Sequence, residues 1–237
     1  VDLKPSGIGY MEDLYKAGGS IRIFNELKDF LHLDAKFVNG NSIGDEIQKA
    51  SKWKQDIITT KDKPVFKGGS IAVLSGTLAP GSAIIKQSAA SSNLLVHEGK
   101  AVVFENLEDL ANRVDTEELD VSKDDVLVLK SIGPKGGPGM PEAGLIPIPK
   151  KLARQGVKDM VRVSDGRMSG TASGTIVLHV TPESYEKGPL AVVQNGDLIK
   201  LDVPNRKIDL LISEDEMNKR ISLLSDDKIK RRGYNKL

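Results

Sequence analysis

Two short segments hold the groups best suited to chemistry. The first, "GPKGGPGMPEAG" at 133–144, carries a single carboxylate, Glu142, behind a rigid Met-Pro step. A carboxylate presented this way suits a hard cation such as Mg²⁺, which takes oxygen ligands; one carboxylate does not complete a metal site, so other ligands must come from elsewhere. The second, "SDGRMSGTASG" at 164–174, sets Ser169 beside Gly170, with Thr171 two residues on. A hydroxyl in a small-residue loop can act as nucleophile or base once something activates it. Both loops also have a plain alternative, a structural turn whose hydroxyls satisfy local backbone groups.

Well-known site patterns do not fit these segments. The glycines of 133–144 match neither G-x-x-x-x-G-K-[ST] nor G-x-G-x-x-G between a strand and a long helix, which leaves little case for a nucleotide. The serine loop is not G-x-S-x-G, because Arg167 stands two residues before Ser169. The chain has three histidines, His32, His97 and His179, and His179 reads as a structural residue in the strand "TIVLHV", so a Ser–His–Asp triad is poorly supported. A third small-residue loop, "SGTLAPGSAIIKQS" at 75–88, enters a strand that carries Lys86. That lysine could touch an anionic substrate, or stand as a solvated charge at a strand edge.

The elements that must position these loops are short. "YMEDLYKAGGSIRIFNELKDFLHLDA" reads as two helices parted at Gly18-Gly19, with Ile23, Leu27, Phe30 and Leu31 on one face. Residues 36–63 read as a polar connecting arm with a short helix. From Lys63 the pattern turns to β, in "PVFKGGSIAVLSGTL" and "SAIIKQSA". "LLVHEGKAVVFEN" reads as two strands around Glu98-Gly99, and Asn106 caps a helix in which Leu107, Leu110, Ala111 and Val114 share a face, Asp109 completing the capping box. "DDVLVLKSIG" and "MVRVSDG" read as strands that run into the glycine loop and the serine loop. Between them, "PIPKKLARQGV" reads as a short helix closed by Gly156. "LAVVQNGDLIKLDV" reads as a hairpin turning at Asn195-Gly196, and "KIDLLIS" completes a meander. A last helix starts at Ser213 with Glu216 as capping partner, and the charged tail "DDKIKRRGYNKL" reads as a frayed, solvated end. The expected fold class is α/β (mixed), a barrel-like, largely antiparallel or mixed sheet with helices packed outside. Residues 1–62 are expected to form a helical arm and 63–237 the barrel-like domain with its C-terminal helix.

Composition excludes several classes. A net charge of +1 and 4% aromatics give no general case for nucleic acid or an anionic membrane surface. The absence of cysteine rules out disulfides, thiol nucleophiles and any iron–sulfur cluster held by this chain's own thiolates. No apolar run approaches the ~18–20 residues of a membrane span, and the N-terminus has no signal-peptide pattern, so a cytoplasmic location is expected. The chain begins with Val1 rather than Met and reads as a piece of a longer polypeptide.

Taken in order, "KPSGIGYMEDLYKAGG", "GTLAPGSAIIK", "GPKGGPGMPE" and "SDGRMSGTASGTIVLHVTPES" closely resemble the C-terminal part of the dihydroxy-acid dehydratase / phosphogluconate dehydratase family, which includes the aldonate dehydratases. The resemblance runs from about Pro5 to about Ile212. It implies a barrel-like domain similar to the swivelling domain of aconitase, in a homo-oligomeric enzyme roughly twice this size. The missing N-terminal domain would be the partner that supplies an iron–sulfur cluster and most Mg²⁺ ligands. The family's G-P-G-M-P-E glutamate, a Mg²⁺ ligand, falls on Glu142; its D-G-R-x-S-G serine, the catalytic base, falls on Ser169; the assisting threonine falls on Thr171. Gly170 and Lys86 are the expected substrate contacts. The implied reaction removes water from a 2,3-dihydroxy acid to give a 2-keto-3-deoxy acid. Met168, where branched-chain members more often show phenylalanine, favours an aldonate; a branched-chain dihydroxy acid is the second choice. Without cysteines or the other half, the chain alone is expected to be inactive. A ligand-binding barrel that has lost catalysis is the expectation of another class.

Overall fold

The computed structural model describes residues 1–224; the tail "DDKIKRRGYNKL" lies outside the described residues. The chain divides into two compact units, Val1–Gly69 and the residues from Ser70 on. The first unit carries α1 (Met11–Lys16), α2 (Gly19–Glu26) and α3 (Ile43–Ile47). The Gly18-Gly19 break is where the sequence places it. The single apolar face expected through Phe30 and Leu31 does not form. α2 stops at Glu26, a 3₁₀ turn follows at Lys28–Phe30, and Phe30 is exposed.

The second unit is built on an eight-stranded mixed sheet in the order β1-β2-β6-β5-β4-β3-β7-β8. The strands are β1 (Ala72–Leu74), β2 (Ser82–Ile85), β3 (Val96–Phe104), β4 (Val126–Leu129), β5 (Arg162–Ser164), β6 (Ile176–Thr181), β7 (Leu198–Asp202) and β8 (Lys207–Leu210). Strands β3, β4, β5 and β6 pair in parallel, and the flanking pairs are antiparallel. The two outermost strands meet as well. Ser75 bridges to Lys207, and the Thr77 hydroxyl both donates to the Leu210 carbonyl and accepts from its N–H, at 3.0 and 2.9 Å. The sheet is therefore nearly closed on itself, which removes most of its free edge.

Alternation along the strands makes two cores. Ala101 and Val103 of β3, with Val126 and Val128 of β4, face an interior cluster to which every strand contributes. Val102 and Phe104, with Leu127 and Leu129, face outward onto Leu110 of α4 (Leu107–Arg113) and Leu152 of α5 (Lys150–Arg154). A parallel strand buried on both faces must be apolar throughout, and "VLVL" of β4 is. Caps are as expected at Asn106, which accepts the Asp109 N–H, and at Ser213, which accepts the Glu216 N–H at the start of α6 (Glu214–Ser222). The return arm of the first box lands one residue early: Asp109 accepts from Glu105 N–H.

Two readings of the strands are corrected. Residues 96–104 form one strand, not two around Glu98-Gly99. Gly99 is there for space: a Cβ would lie 2.2 Å from the Asp124 carbonyl oxygen. The hairpin is β7–β8, not a turn at Asn195-Gly196. "PLAV" at Pro189–Val192 is a 3₁₀ turn with Leu190 and Val192 buried, and the Asn195 side chain accepts the Val103 N–H at 2.7 Å. Burial of these apolar residues overrides their strand propensity.

Candidate functional site

β4 and β5 are parallel neighbours, Leu129 opposite Ser164, so the glycine loop after one and the serine loop after the other leave the same edge of the sheet. In parallel α/β sheets and barrels alike, the carboxyl ends of the strands are where ligands gather. The roots of both loops meet at Asp165, which is buried and accepts the Ile132 N–H at 3.0 Å and the Ser184 N–H at 2.8 Å.

The glycine loop is then folded back on an internal carboxylate. Glu183, just after β6 and buried, accepts the N–H groups of Lys135, at 2.9 and 3.1 Å to its two oxygens, and of Gly136, at 3.1 Å. These amides make an anion nest whose anion belongs to the protein. The loop is thus not a vacant phosphate cradle, and its Lys135 and Gly136 amides are turned away from an outside oxyanion.

The two loops touch through Arg167. Its Nη1 donates to Glu142 Oε1 at 2.8 Å and its Nε to the Met140 carbonyl at 2.7 Å, while its own carbonyl accepts the Gly144 N–H at 2.8 Å. Glu142 is thereby placed at the serine loop, with its side chain 47% exposed. Two residues beyond Arg167, Ser169 Oγ and Thr171 Oγ1 lie 2.9 Å apart, and the Thr171 N–H approaches Ser169 Oγ at 3.4 Å. Gly170 is exposed with open space where a side chain would stand. Lys86, immediately after β2, donates from Nζ to the Gly170 carbonyl at 3.1 Å. The structure brings all five candidate residues, Lys86, Glu142, Ser169, Gly170 and Thr171, into one connected set. His179 stands apart in role: it is exposed in β6 with φ 53°, its N–H donating to the Gly166 carbonyl.

Among the described residues no cluster of three or more His, Cys, Asp or Glu side chains could hold a metal ion. Glu142 offers Mg²⁺ a single oxygen donor, and one of its oxygens already accepts from the cationic Arg167, with which a bound cation would have to compete. A cluster held by thiolates does not fit this chain, which has no cysteine. A cavity of ≈ 410 Å³ lined in part by Glu105, Lys130 and Arg220 touches neither loop.

Residues 56–237 match the family model for the dihydroxy-acid/6-phosphogluconate dehydratase C-terminal region. The chain belongs to that family. L-arabinonate dehydratase of Rhizobium leguminosarum bv. trifolii (strain WSM2304) is 46% identical over 94% of this chain and 39% of that protein. L-arabonate dehydratase of Azospirillum brasilense is 48% identical over 94% of this chain and 39% of that protein. Dihydroxy-acid dehydratase of Carboxydothermus hydrogenoformans is 41% identical over 98% of this chain and 42% of that protein. The chain therefore corresponds to the C-terminal domain of dehydratases, and spans about two fifths of the length of these relatives. Among the described residues no helix is long and apolar enough to cross a membrane.

Sequence reasoning missed Arg167, which entered only as a mismatch to the serine-hydrolase pattern, and the buried acids Asp165 and Glu183. Asp165 directly follows a strand and precedes glycine, the usual place for a turn-forming acceptor. Glu183 gives no local signal, because the amides it accepts are 47 and 48 residues away.

Proposed function

We propose that this chain supplies the C-terminal half of the active site of an aldonate dehydratase, which converts a 2,3-dihydroxy acid to a 2-keto-3-deoxy acid. The observation that carries the reading is the Arg167 link, which sets the Glu142 carboxylate beside the loop that bears the Ser169–Thr171 hydroxyl pair. The sugar-acid choice rests on the relatives: those named for arabinonate and arabonate share 46% and 48% with this chain, against 41% for a dihydroxy-acid dehydratase. A branched-chain dihydroxy acid is the second reading, supported by that last relative.

In this reading Ser169 takes the proton from C2 of the substrate. A serine hydroxyl is a weak base until ionised. Bringing a water-like pKa down by roughly seven units requires about 10 kcal/mol. Ionised, Ser169 would accept from the Thr171 hydroxyl and be faced by the Thr171 N–H. Two such charge-assisted bonds supply roughly 3–6 kcal/mol, so nearby positive charge must provide the rest. Mg²⁺ held in part by Glu142 would also draw charge from the substrate carboxylate and make the C2 proton more acidic. Lys86 uses one of its three donors to hold the Gly170 carbonyl and can turn another to an anionic substrate. The iron–sulfur cluster implied by the resemblance would sit outside this chain, and none of these steps passes through it.

The test is a pair of variants in the complete enzyme. Ser169→Ala should cut turnover by about 10²–10⁴-fold, the usual worth of a positioned base, with folding intact by circular dichroism. Glu142→Gln should first raise the Mg²⁺ concentration needed for half-maximal rate. A Ser169→Ala enzyme at near wild-type rate would rule out this base.

A further inference from the structure

We propose that the buried pair Asp159–Arg162 is a positioning unit for the two loops, with each partner fixing the return of one loop; this rests on the reading of the site above. The side chains of Arg162 and Asp159 are 4% and 9% exposed, and Arg162 Nη2 donates to Asp159 Oδ1 at 2.7 Å. Arg162 Nη1 donates to the carbonyls of Leu145 and Ile146 at 2.9 and 3.1 Å, where the chain comes back from the Glu142 loop. Its Nε donates to the Met160 carbonyl at 3.3 Å. Asp159 accepts the Thr175 N–H at 3.0 Å and the Thr175 hydroxyl at 2.7 Å, where the chain comes back from the Ser169 loop. It also accepts the Ser91 N–H at 3.2 Å, just past the turn that follows Lys86. The returns of the glycine and serine loops, and the segment just beyond Lys86, are therefore tied to one ion pair. The fit is close: a Cβ on Gly174 would lie 2.0 Å from Arg162 Nη2.

Stability alone does not explain the pair. Apolar side chains of similar volume often replace a buried ion pair with no loss. What they cannot do is hold carbonyls on one side and N–H and hydroxyl groups on the other in fixed directions. A guanidinium does this with a rigid planar fork, which a lysine cannot copy. Burial by itself pushes the Asp159 carboxyl up, but the Thr175 and Ser91 donors and the Arg162 charge outweigh it and leave it below the ordinary range. Burial pulls the Arg162 guanidinium down, and the Asp159 charge restores part of this. Both groups are thus set up to be charged and directional where neither meets the substrate.

Hydrogen exchange on this chain reads the proposal without any turnover. Arg162→Lys keeps a charge facing Asp159 but loses the fork, so exchange over residues 140–147 should quicken about tenfold while β4 stays at the wild-type rate. Thr175→Val removes the hydroxyl that donates to Asp159 and accepts the Ser91 N–H at 3.1 Å, so residues 170–176 should quicken while 140–147 do not. In the complete enzyme the first variant should raise the Mg²⁺ requirement and the second should lower kcat, a split that loss of general stability would not produce. The proposal is overturned if either variant leaves its own loop at the wild-type rate, or quickens β4 by the same factor. If exchange splits as expected but the kinetics do not move, the pair does position the loops and it is the assignment of those loops to catalysis that fails.

Discussion

The glycine loop and the serine loop leave neighbouring strands at one edge of the sheet, yet they are held in different ways. The glycine loop is gripped in both halves. Glu183 takes two of its amides, and Arg167 takes the Met140 carbonyl and the Glu142 carboxylate. The serine loop is fixed at its root by Asp165 and at its return by Asp159, and its tip, from Ser169 to Thr171, is left accessible. The contrast suits the two proposed roles. A metal-holding carboxylate must not move, because an ion's affinity depends on where its ligands stand. A base must reach a proton and release it, so its hydroxyl needs a fixed base and an open face.

Three substitutions or conditions would break or sharpen this contrast. The largest effect on stability is expected from Glu183→Ala. It leaves the part-buried amides of Lys135 and Gly136 without their acceptor, at up to roughly 1–3 kcal/mol for each unsatisfied group. Denaturant melts of this chain should show that loss, and a variant as stable as wild type would mean that water satisfies the amides and the loop is not gripped. Thr171→Val is the opposite case. Its side chain is exposed, so stability should change by less than about 0.5 kcal/mol. Turnover of the complete enzyme should still fall about 10- to 100-fold as one charge-assisted hydrogen bond is lost. Unchanged turnover would remove Thr171 from the mechanism.

The smallest effect is the pH-dependent part of what Asp159 contributes. The Asp159 carboxyl lies below its ordinary value of 3.8 in the folded state, so its contribution to stability is present above that value and is lost as pH falls through the lower, folded one. The gap in melting midpoint between wild type and Asp159→Asn should therefore be widest near neutral pH and narrow below pH 3.8. A gap that stays constant into acid would show that the asparagine variant acts through shape and not through lost charge.

Local sequence signals read the elements well where one residue type forces one conformation. The Gly18-Gly19 break, the Asn106 and Ser213 caps and the apolar run of β4 all rest on neighbours within a few residues. They misread Gly99 and Asn195-Gly196, because those residues serve partners far away in sequence: the Asp124 carbonyl passing over one strand, and the Val103 amide of the adjacent strand β3. The same limit applies to the site. Glu142 and Ser169 were legible as candidates because their flanking small residues are unusual and ordered. Arg167, Asp165, Glu183 and the Asp159–Arg162 pair were not, since a buried charge shows its purpose only through the groups it faces.

The sequence by itself determined that two oxygen-bearing loops follow two strands, that no thiolate chemistry resides in this chain, and which family the motifs belong to. Only the tertiary structure decided that the loops share an edge, that one is locked on an internal carboxylate, and that a single ion pair holds the returns of both. The reason is physical. Turn and strand preferences act over a few residues, whereas the hydrogen bonds that set these loops join groups brought together only once the sheet has closed.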